Sequence, residues 1–313
     1  MKNNKDEKIR ISIINGFLGS GKTTLLTHYI SELLKNDEKI KIIMNEFGSF
    51  DIDSNSISNE IEVHSLINGC VCCDLKQELV SELTAIALNG NVNHVIIEAT
   101  GIAHPLDLLF ACQDPKLVRY FEKPMIIGVL DAKRFLDRHQ YTDNTVSLME
   151  DQLKLSDVII INKIDLVSDD NIQKIKKQLY DICPDVMTHT TTFGRIPFDT
   201  LLLKIKNQEM VNGEHHHHHH HHHGIKSMHY TFSGPIDRQL FYQFILKLPD
   251  SVLRLKGYVT FRDKPDDIYE FQYAYGLPDY GIISMKLPLT IVIIGESIDT
   301  DQLRNQLDML QFT

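Results

Sequence analysis

Residues 16–24 read Gly-Phe-Leu-Gly-Ser-Gly-Lys-Thr-Thr, and Gly16, Gly21, Lys22 and Thr23 fill the pattern G-x-x-x-x-G-K-[ST]. Glycines in such a stretch let successive backbone N–H groups curl inward on a polyphosphate, and a following helix adds partial positive charge at its N-terminus. The candidate phosphate contacts are therefore Gly16, Gly19, Ser20, Gly21, Lys22, Thr23 and Thr24. Lys22 would reach the β and γ phosphates, stabilising charge that develops at the β–γ bridge, and the Thr23 hydroxyl would bind Mg²⁺. A glycine-rich turn that binds nothing is the plain alternative. The flanking sequence opposes it, with Ile9, Ile11 and Ile13 alternating with Arg10 and Ser12 as in a strand. After Thr23, residues Leu25, Leu26, Tyr29, Ile30, Leu33 and Leu34 form one helical stripe.

Further along, Asn162-Lys163-Ile164-Asp165 has the form N-K-x-D directly after the apolar run Val158 to Ile161. A carboxylate such as Asp165 accepts from both N1–H and the 2-amino group of guanine. Adenine offers neither, so the pairing selects GTP. The same residues are common in turns, and it is their place downstream of the glycine-rich loop that favours the guanine reading. Glu98 closes a third apolar strand and is followed by Ala99-Thr100-Gly101. A carboxylate there orients a water or joins the Mg²⁺ shell, and the Gly101 N–H is placed to sense a γ-phosphate. A strand-end acid facing solvent is the bland reading. Asp51 and Asp53 lie in a Ser-, Asn- and Asp-rich stretch over residues 49–60. Either acid there is a candidate for water-mediated contact with Mg²⁺ or for positioning the attacking water, and Asp53 is carried forward as catalytic beside Lys22 and Glu98.

Cys70-Val71-Cys72-Cys73 brings three thiols into four positions. Thiolates are soft ligands suited to Zn²⁺ at about 2.3 Å. Neighbouring cysteines supply four tetrahedral bonds poorly, so two or three thiolates and an open position would make a transfer site. Packing of small buried residues is the alternative. Cys112 and Cys183 stand alone and read as structural. Nine consecutive histidines, His215, His216, His217, His218, His219, His220, His221, His222 and His223, offer accessory imidazole ligands to Zn²⁺, Ni²⁺, Co²⁺ or Cu²⁺. A purification tag would sit at a terminus, whereas this run is internal.

The elements that must position these groups alternate strand and helical patterns up to about residue 200, which implies a mainly parallel sheet covered on both faces. Gly16, Asn45, Glu98 and Asn162 then all fall at carboxyl ends of strands, where such sheets bind ligands. The strand before the cysteines is expected between the 45–60 loop and the Glu98 strand, so that a γ-phosphate ordering the loop would also move the thiolates. Residues 207–224 break the composition and read as a His-rich linker. Beyond it, strands are expected at Met228 to Phe232, Val252 to Phe261, Tyr269 to Tyr275, Ile282 to Met285 and Leu289 to Ile294. Helices are expected over 240–248 and 301–310. The fold class is thus α/β, a P-loop NTPase domain over 1–206 followed by a smaller α+β domain over 225–313.

Gly16 to Thr24, Asn45-Glu46-Phe47-Gly48, Cys70-Val71-Cys72-Cys73, Glu98-Ala99-Thr100-Gly101 and Asn162-Lys163-Ile164-Asp165 together resemble the CobW-like family of metallochaperone GTPases, grouped with the hydrogenase and urease nickel-insertion GTPases. Arg254-Leu255-Lys256-Gly257 resembles that family's C-terminal domain, and a His-rich segment between domains is a recurring family feature. The resemblance implies GTP hydrolysis and delivery of a metal, zinc foremost, to a client metalloprotein. It matches Asp53 to the acid that follows the Asn-Glu-Phe-Gly segment. Where the family often has an acid directly after that segment, this chain has Ser49.

Composition bounds the alternatives. The chain has 313 residues, 32 Lys plus Arg against 42 Asp plus Glu, and a net charge of −10. That balance argues against a general binder of nucleic acid or membrane surfaces. No apolar run approaches membrane-spanning length, and Met1 to Arg10 lacks the apolar stretch of a secretory signal. Clustered thiols in a chain of five cysteines fit a reducing cytoplasmic setting. A zinc buffer built on the histidines, with incidental GTP hydrolysis, is the competing function. A small-molecule kinase would leave both N-K-x-D and C-x-C-C unexplained. The sequence leaves the oligomeric state open.

Overall fold

The computed structural model describes residues 8–44, 62–65, 72–101, 105–184, 186–196, 224–274 and 276–312, the side chains of 62–65 and 72–75 excepted. The chain divides into two compact units, Met1–Cys112 with Tyr120–His223, and Gln113–Arg119 with Gly224–Thr313.

In the first unit, strands β1 (Arg10–Asn15), β2 (Ile40–Met44), β3 (Glu62–Ser65), β4 (His94–Glu98), β5 (Met125–Asp131), β6 (Val158–Asn162) and β7 (Met187–Thr190) form one sheet. Its order is β3-β2-β4-β1-β5-β6-β7, and every pairing is parallel. The helices are α1 (Lys22–Lys35), α2 (Cys72–Asn89), α3 (Pro105–Cys112), α4 (Ala132–Leu136), α5 (Asp143–Lys154) and α6 (Asp169–Ile182). On one face Leu25, Leu26, Tyr29, Ile30 and Leu33 of α1 pack on Ile14, Ile42, Ile96, Ile127 and Ile160. On the other, Phe135, Leu153, Ile175 and Leu179 pack on Ile159 and Ile161. Strands buried on both faces read as continuous apolar runs, which is why Ile40 to Met44 and Val158 to Ile161 lack alternation.

Parallel pairing fixes where the strands end. Ile14 pairs with Glu98, Asn15 with Gly128, and Asp131 with Asn162. The chain builds β2, β3 and β4 on one side of β1, then crosses to build β5, β6 and β7 on the other. The crevice outside the carboxyl end of β1 is therefore the switch point at which such sheets bind ligands. One expectation is corrected here. The strand before the cysteines, β3, does not lie beside the Glu98 strand. It is the sheet edge, with β2 between it and β4. Chain order does not set sheet order when every connection is a crossover.

The second unit is a five-stranded antiparallel sheet of β8 (Ile225–Thr231), β9 (Val252–Phe261), β10 (Lys264–Ala274), β11 (Leu277–Ile283) and β12 (Thr290–Glu296), ordered β11-β10-β9-β12-β8. Helices α7 (Arg238–Leu246) and α8 (Thr300–Phe312) contribute to one core with it, Phe241, Phe244, Leu303 and Leu307 packing with Leu255, Phe261, Phe271 and Ile293. The Arg254-Leu255-Lys256-Gly257 stretch has a structural logic. Leu255 is wholly buried in that core. Lys256 Nζ donates to Asp114 Oδ2 at 2.7 Å and lies 3.4 Å from Glu270, fastening the segment 113–119 to this sheet. Gly257 is required because a Cβ there would sit 2.4 Å from Ile291 Cα on the neighbouring strand. The largest departures from the expected boundaries are in β10 and β11. β10 begins at Lys264, and β11 spans Leu277–Ile283 instead of Ile282 to Met285. Most of β11 is exposed, so burial imposes no pattern on its sequence.

Candidate nucleotide site

The N-terminus of α1 is built to receive an anion. Helices α4, α5, α6 and α7 are closed by the side chains of Asp131, Thr142, Ser168 and Asp237, each accepting from a first-turn N–H. Helix α1 has Gly21 at that position, in the left-handed region with φ 102°, and no side-chain cap. No acid stands in its first turn. Its leading N–H groups are thus left for a ligand, and the helix dipole favours a negative one. Space also dictates the glycines. A Cβ on Gly16 would meet the Val129 carbonyl oxygen at 2.2 Å, and one on Gly21 would meet Asn162 Nδ2 at 2.3 Å.

Around this loop the strand ends deliver their polar groups. Lys22, mostly buried, donates to the Gly16 and Phe17 carbonyls at 2.9 and 3.4 Å. The Thr23 hydroxyl donates to Glu98 Oε1 at 2.8 Å, bringing the loop threonine and the strand-end acid together. Gly101 abuts the loop, since a Cβ there would lie 2.6 Å from the Leu18 nitrogen. Its carbonyl accepts from Gln152 at 3.3 Å. Asn162 donates from Nδ2 to the Ser20 carbonyl at 2.9 Å and accepts from the Gly194 N–H at 3.1 Å. Lys163 has left-handed backbone angles, φ 59°, and its Nζ donates to the Gly19 carbonyl at 2.6 Å. A lysine held at positive φ is uncommon and marks a constrained position. Asp165 is exposed on a 3₁₀ turn over Ile164–Leu166, and its carboxylate has no partner among the described residues. Thr24 is exposed, and the hydroxyl of Ser20 is buried without a hydrogen-bond partner among the described residues.

The residues predicted from Gly16, Glu98 and Asn162 thus converge, although far apart in sequence. Three groups were missed. Asp131, at the end of β5, accepts from Lys163 Nζ at 2.8 Å. Arg134 donates through Nη1 to the Leu18 carbonyl. Gly194, with φ 65°, supplies the N–H that holds Asn162. The signal available for Asp131 was an acid at the end of an apolar strand, the same signal that marked Glu98. Asp51, Asp53, Cys70 and the histidines 215–223 lie outside the described residues. Cys72 and Cys73 open α2, with only their backbone described. No cluster of three or more metal-ligating side chains occurs among the described residues. Cys112 and Cys183 are buried, and burial pushes both thiols up, Cys183 to about 11. They stay protonated and are poor metal ligands, which suits the structural role expected of them. No helix among the described residues is long and apolar enough to cross a membrane.

A parallel sheet whose central strand runs through a glycine-rich loop into an uncapped helix defines a P-loop nucleotide-binding protein. The chain belongs to the CobW/HypB/UreG family: the model of its nucleotide-binding domain matches residues 10–190, and that of the cobalamin synthesis protein cobW C-terminal domain matches residues 225–311. It is 27% identical over 309 residues to zinc-regulated GTPase metalloprotein activator 1 of Dictyostelium discoideum, covering 83% of this chain and 64% of that protein. It is 30% identical over 200 residues to the zinc chaperone CobW of a Sinorhizobium species, covering 55% of each. It is 26% identical over 275 residues to the zinc chaperone YjiA of Escherichia coli K12, covering 82% of this chain and 84% of that one. The chain thus spans between about half and two thirds of the length of the first two relatives.

Proposed function

We propose that the protein is a GTP-hydrolysing metallochaperone that takes a transition metal, zinc foremost, at Cys70, Cys72 and Cys73 and hands it to a client metalloprotein in the cytoplasm. The observation that carries the nucleotide half is the bonding of Asn162 and Lys163 to the Ser20 and Gly19 carbonyls. It joins a base-reading motif to a phosphate loop. Asp165, with its free carboxylate, then accepts from guanine N1–H and the 2-amino group. Lys22 exchanges its two carbonyl partners for the β and γ phosphates, while the α1 N–H groups surround them. The hard oxygens of Thr23 and Glu98, already 2.8 Å apart, fit Mg²⁺ and would hold it directly or through water. Mg²⁺, when bound, supplies charge neutralisation at the β and γ oxygens. Gly101, beside Leu18, reports the γ-phosphate, and Asp51 or Asp53 serves the attacking water.

The metal half is supported by the three thiols in Cys70-Val71-Cys72-Cys73 and by relatives named zinc chaperones and a zinc-regulated activator. The metal is cargo in this reading, and histidines 215–223 collect it without a fixed geometry. The working domains are 1–206, apart from the segment 113–119 that groups with the second unit, and 225–313, with 207–224 between them. The length of the histidine run favours one competing function, a zinc buffer with incidental hydrolysis. Measuring GTP and ATP affinity on native protein and on Asp165→Asn tests the nucleotide half. Native protein is expected to prefer GTP, and Asp165→Asn to weaken GTP by on the order of 2 kcal/mol or more. Equal affinity of native protein for the two nucleotides would contradict it.

A further inference from the structure

Each carbonyl from Gly16 to Ser20 accepts a side-chain donor. Lys22 takes Gly16 and Phe17, Arg134 takes Leu18, Lys163 takes Gly19 and Asn162 takes Ser20. A trans peptide carries its N–H opposite its C=O. Holding the Leu18 and Ser20 carbonyls therefore also fixes the direction of the Gly19 and Gly21 N–H groups. Lys22 and Asn162 belong to the two sequence motifs. Arg134 belongs to neither. It lies on α4, and its guanidinium also packs on Gly19, where a Cβ would meet Nη1 at 3.1 Å.

Asp131 ties these donors together. It is 7% exposed. Its Oδ1 accepts from the Arg134 backbone N–H at 3.0 Å, and its Oδ2 accepts from Lys163 Nζ at 2.8 Å and faces Arg134 Nε at 4.0 Å. One buried carboxylate thus serves two cations, each of which reaches on to an adjacent carbonyl of the phosphate loop. Hydrogen bonds to a charged group are stronger than neutral ones, and a buried carboxylate needs such partners.

We propose that Asp131 and Arg134 are positioning residues of the nucleotide site. Through Lys163 and the Leu18 carbonyl they hold the base motif and the phosphate cradle in one geometry. Asp131 contacts no nucleotide in this account; it acts through the cations. The proposal rests on the guanine-nucleotide reading above only for the part played by Lys163.

Three variants separate this role from simple capping of α4. Asn caps a helix as well as Asp does, so Asp131→Asn keeps the cap and removes the charge. Arg134→Met leaves the backbone and removes the guanidinium, and Arg134→Lys restores a cation that can reach Leu18. Binding is measured by calorimetry with GDP, which reads loop and base, and with tripolyphosphate, which reads the loop alone. Asp131→Asn and Arg134→Met should each weaken both ligands by about tenfold. Arg134→Lys should recover most of the loss, and thermal midpoints should stay within a few degrees of native. Unchanged binding in both variants would reduce Asp131 to a cap and overturn the proposal. So would a loss confined to GDP, which would limit Asp131 to the base motif. Native protein that binds tripolyphosphate but shows no guanine preference would sink the guanine reading, and the tripolyphosphate comparison would still decide the positioning role. Native protein that binds neither ligand overturns both.

Discussion

At the scale of single residues, the interior of the nucleotide unit carries a polar cluster with a defined cost. His94 is fully buried and shares the Ser12 hydroxyl with Tyr29, Nε2 lying 2.8 Å and the Tyr29 hydroxyl 3.1 Å from it. Burial, reinforced by the Arg10 charge, lowers the His94 pKa from 6.5 to about 3, and Tyr29 is pushed up to about 12 by burial. His94 is therefore neutral when folded and is protonated below about pH 6.5 when unfolded. The unfolded state takes up the extra proton, so stability present above pH 6.5 is lost as pH falls toward 3. Between pH 7 and pH 5 the loss from this group alone is on the order of 2 kcal/mol. His94→Gln keeps a partner for Ser12 and cannot titrate. Urea unfolding of both proteins at the two pH values should show a smaller drop for the variant, and equal drops would remove His94 as the cause.

At the scale of elements, what could be read from sequence was what neighbouring residues determine. The glycine-rich loop, its strand and its helix lie within about thirty residues, and each signal is local: glycine where φ is positive, an apolar stripe at helical spacing, a lysine and threonine at the helix start. The Asn162-Lys163-Ile164-Asp165 turn was legible for the same reason. Asp131 and Arg134 were not, because their importance depends on β5 lying beside β6 and β1, and sheet order is not encoded locally. The edge position of β3 was missed on the same ground. In the second unit, β11 escaped because its exposed residues carry no burial pattern. Gly257 gives an element-level test. Its added Cβ would meet Ile291 Cα at 2.4 Å and the Thr290 carbonyl at 2.5 Å, backbone atoms of β12 that cannot turn aside. Gly257→Ala should separate β9 from β12 and destabilise the second unit by on the order of 2 kcal/mol or more. A thermal unfolding midpoint equal to native would show that the strands tolerate the spread.

At the scale of the molecule, a nucleotide unit and a second unit share a chain that passes between them more than once. Residues Gln113–Arg119 follow α3 yet fold with the C-terminal sheet, where Lys256 holds Asp114. In sequence, Glu98 at the end of β4 precedes Gln113, where the second unit's segment begins, by about fifteen residues. Cys72 and Cys73, which would carry the metal, open the helix that follows the edge strand β3. If the protein is a gated chaperone, metal and nucleotide share a coupling free energy, and each must alter the affinity for the other equally. A buffer built on histidines has no reason to show it. Zn²⁺ affinity measured with GDP bound and with a non-hydrolysable GTP analogue bound decides between them. The account predicts affinities that differ by about five- to 150-fold, with most of the difference lost in Cys72→Ala; identical zinc affinity in the two nucleotide states would contradict it.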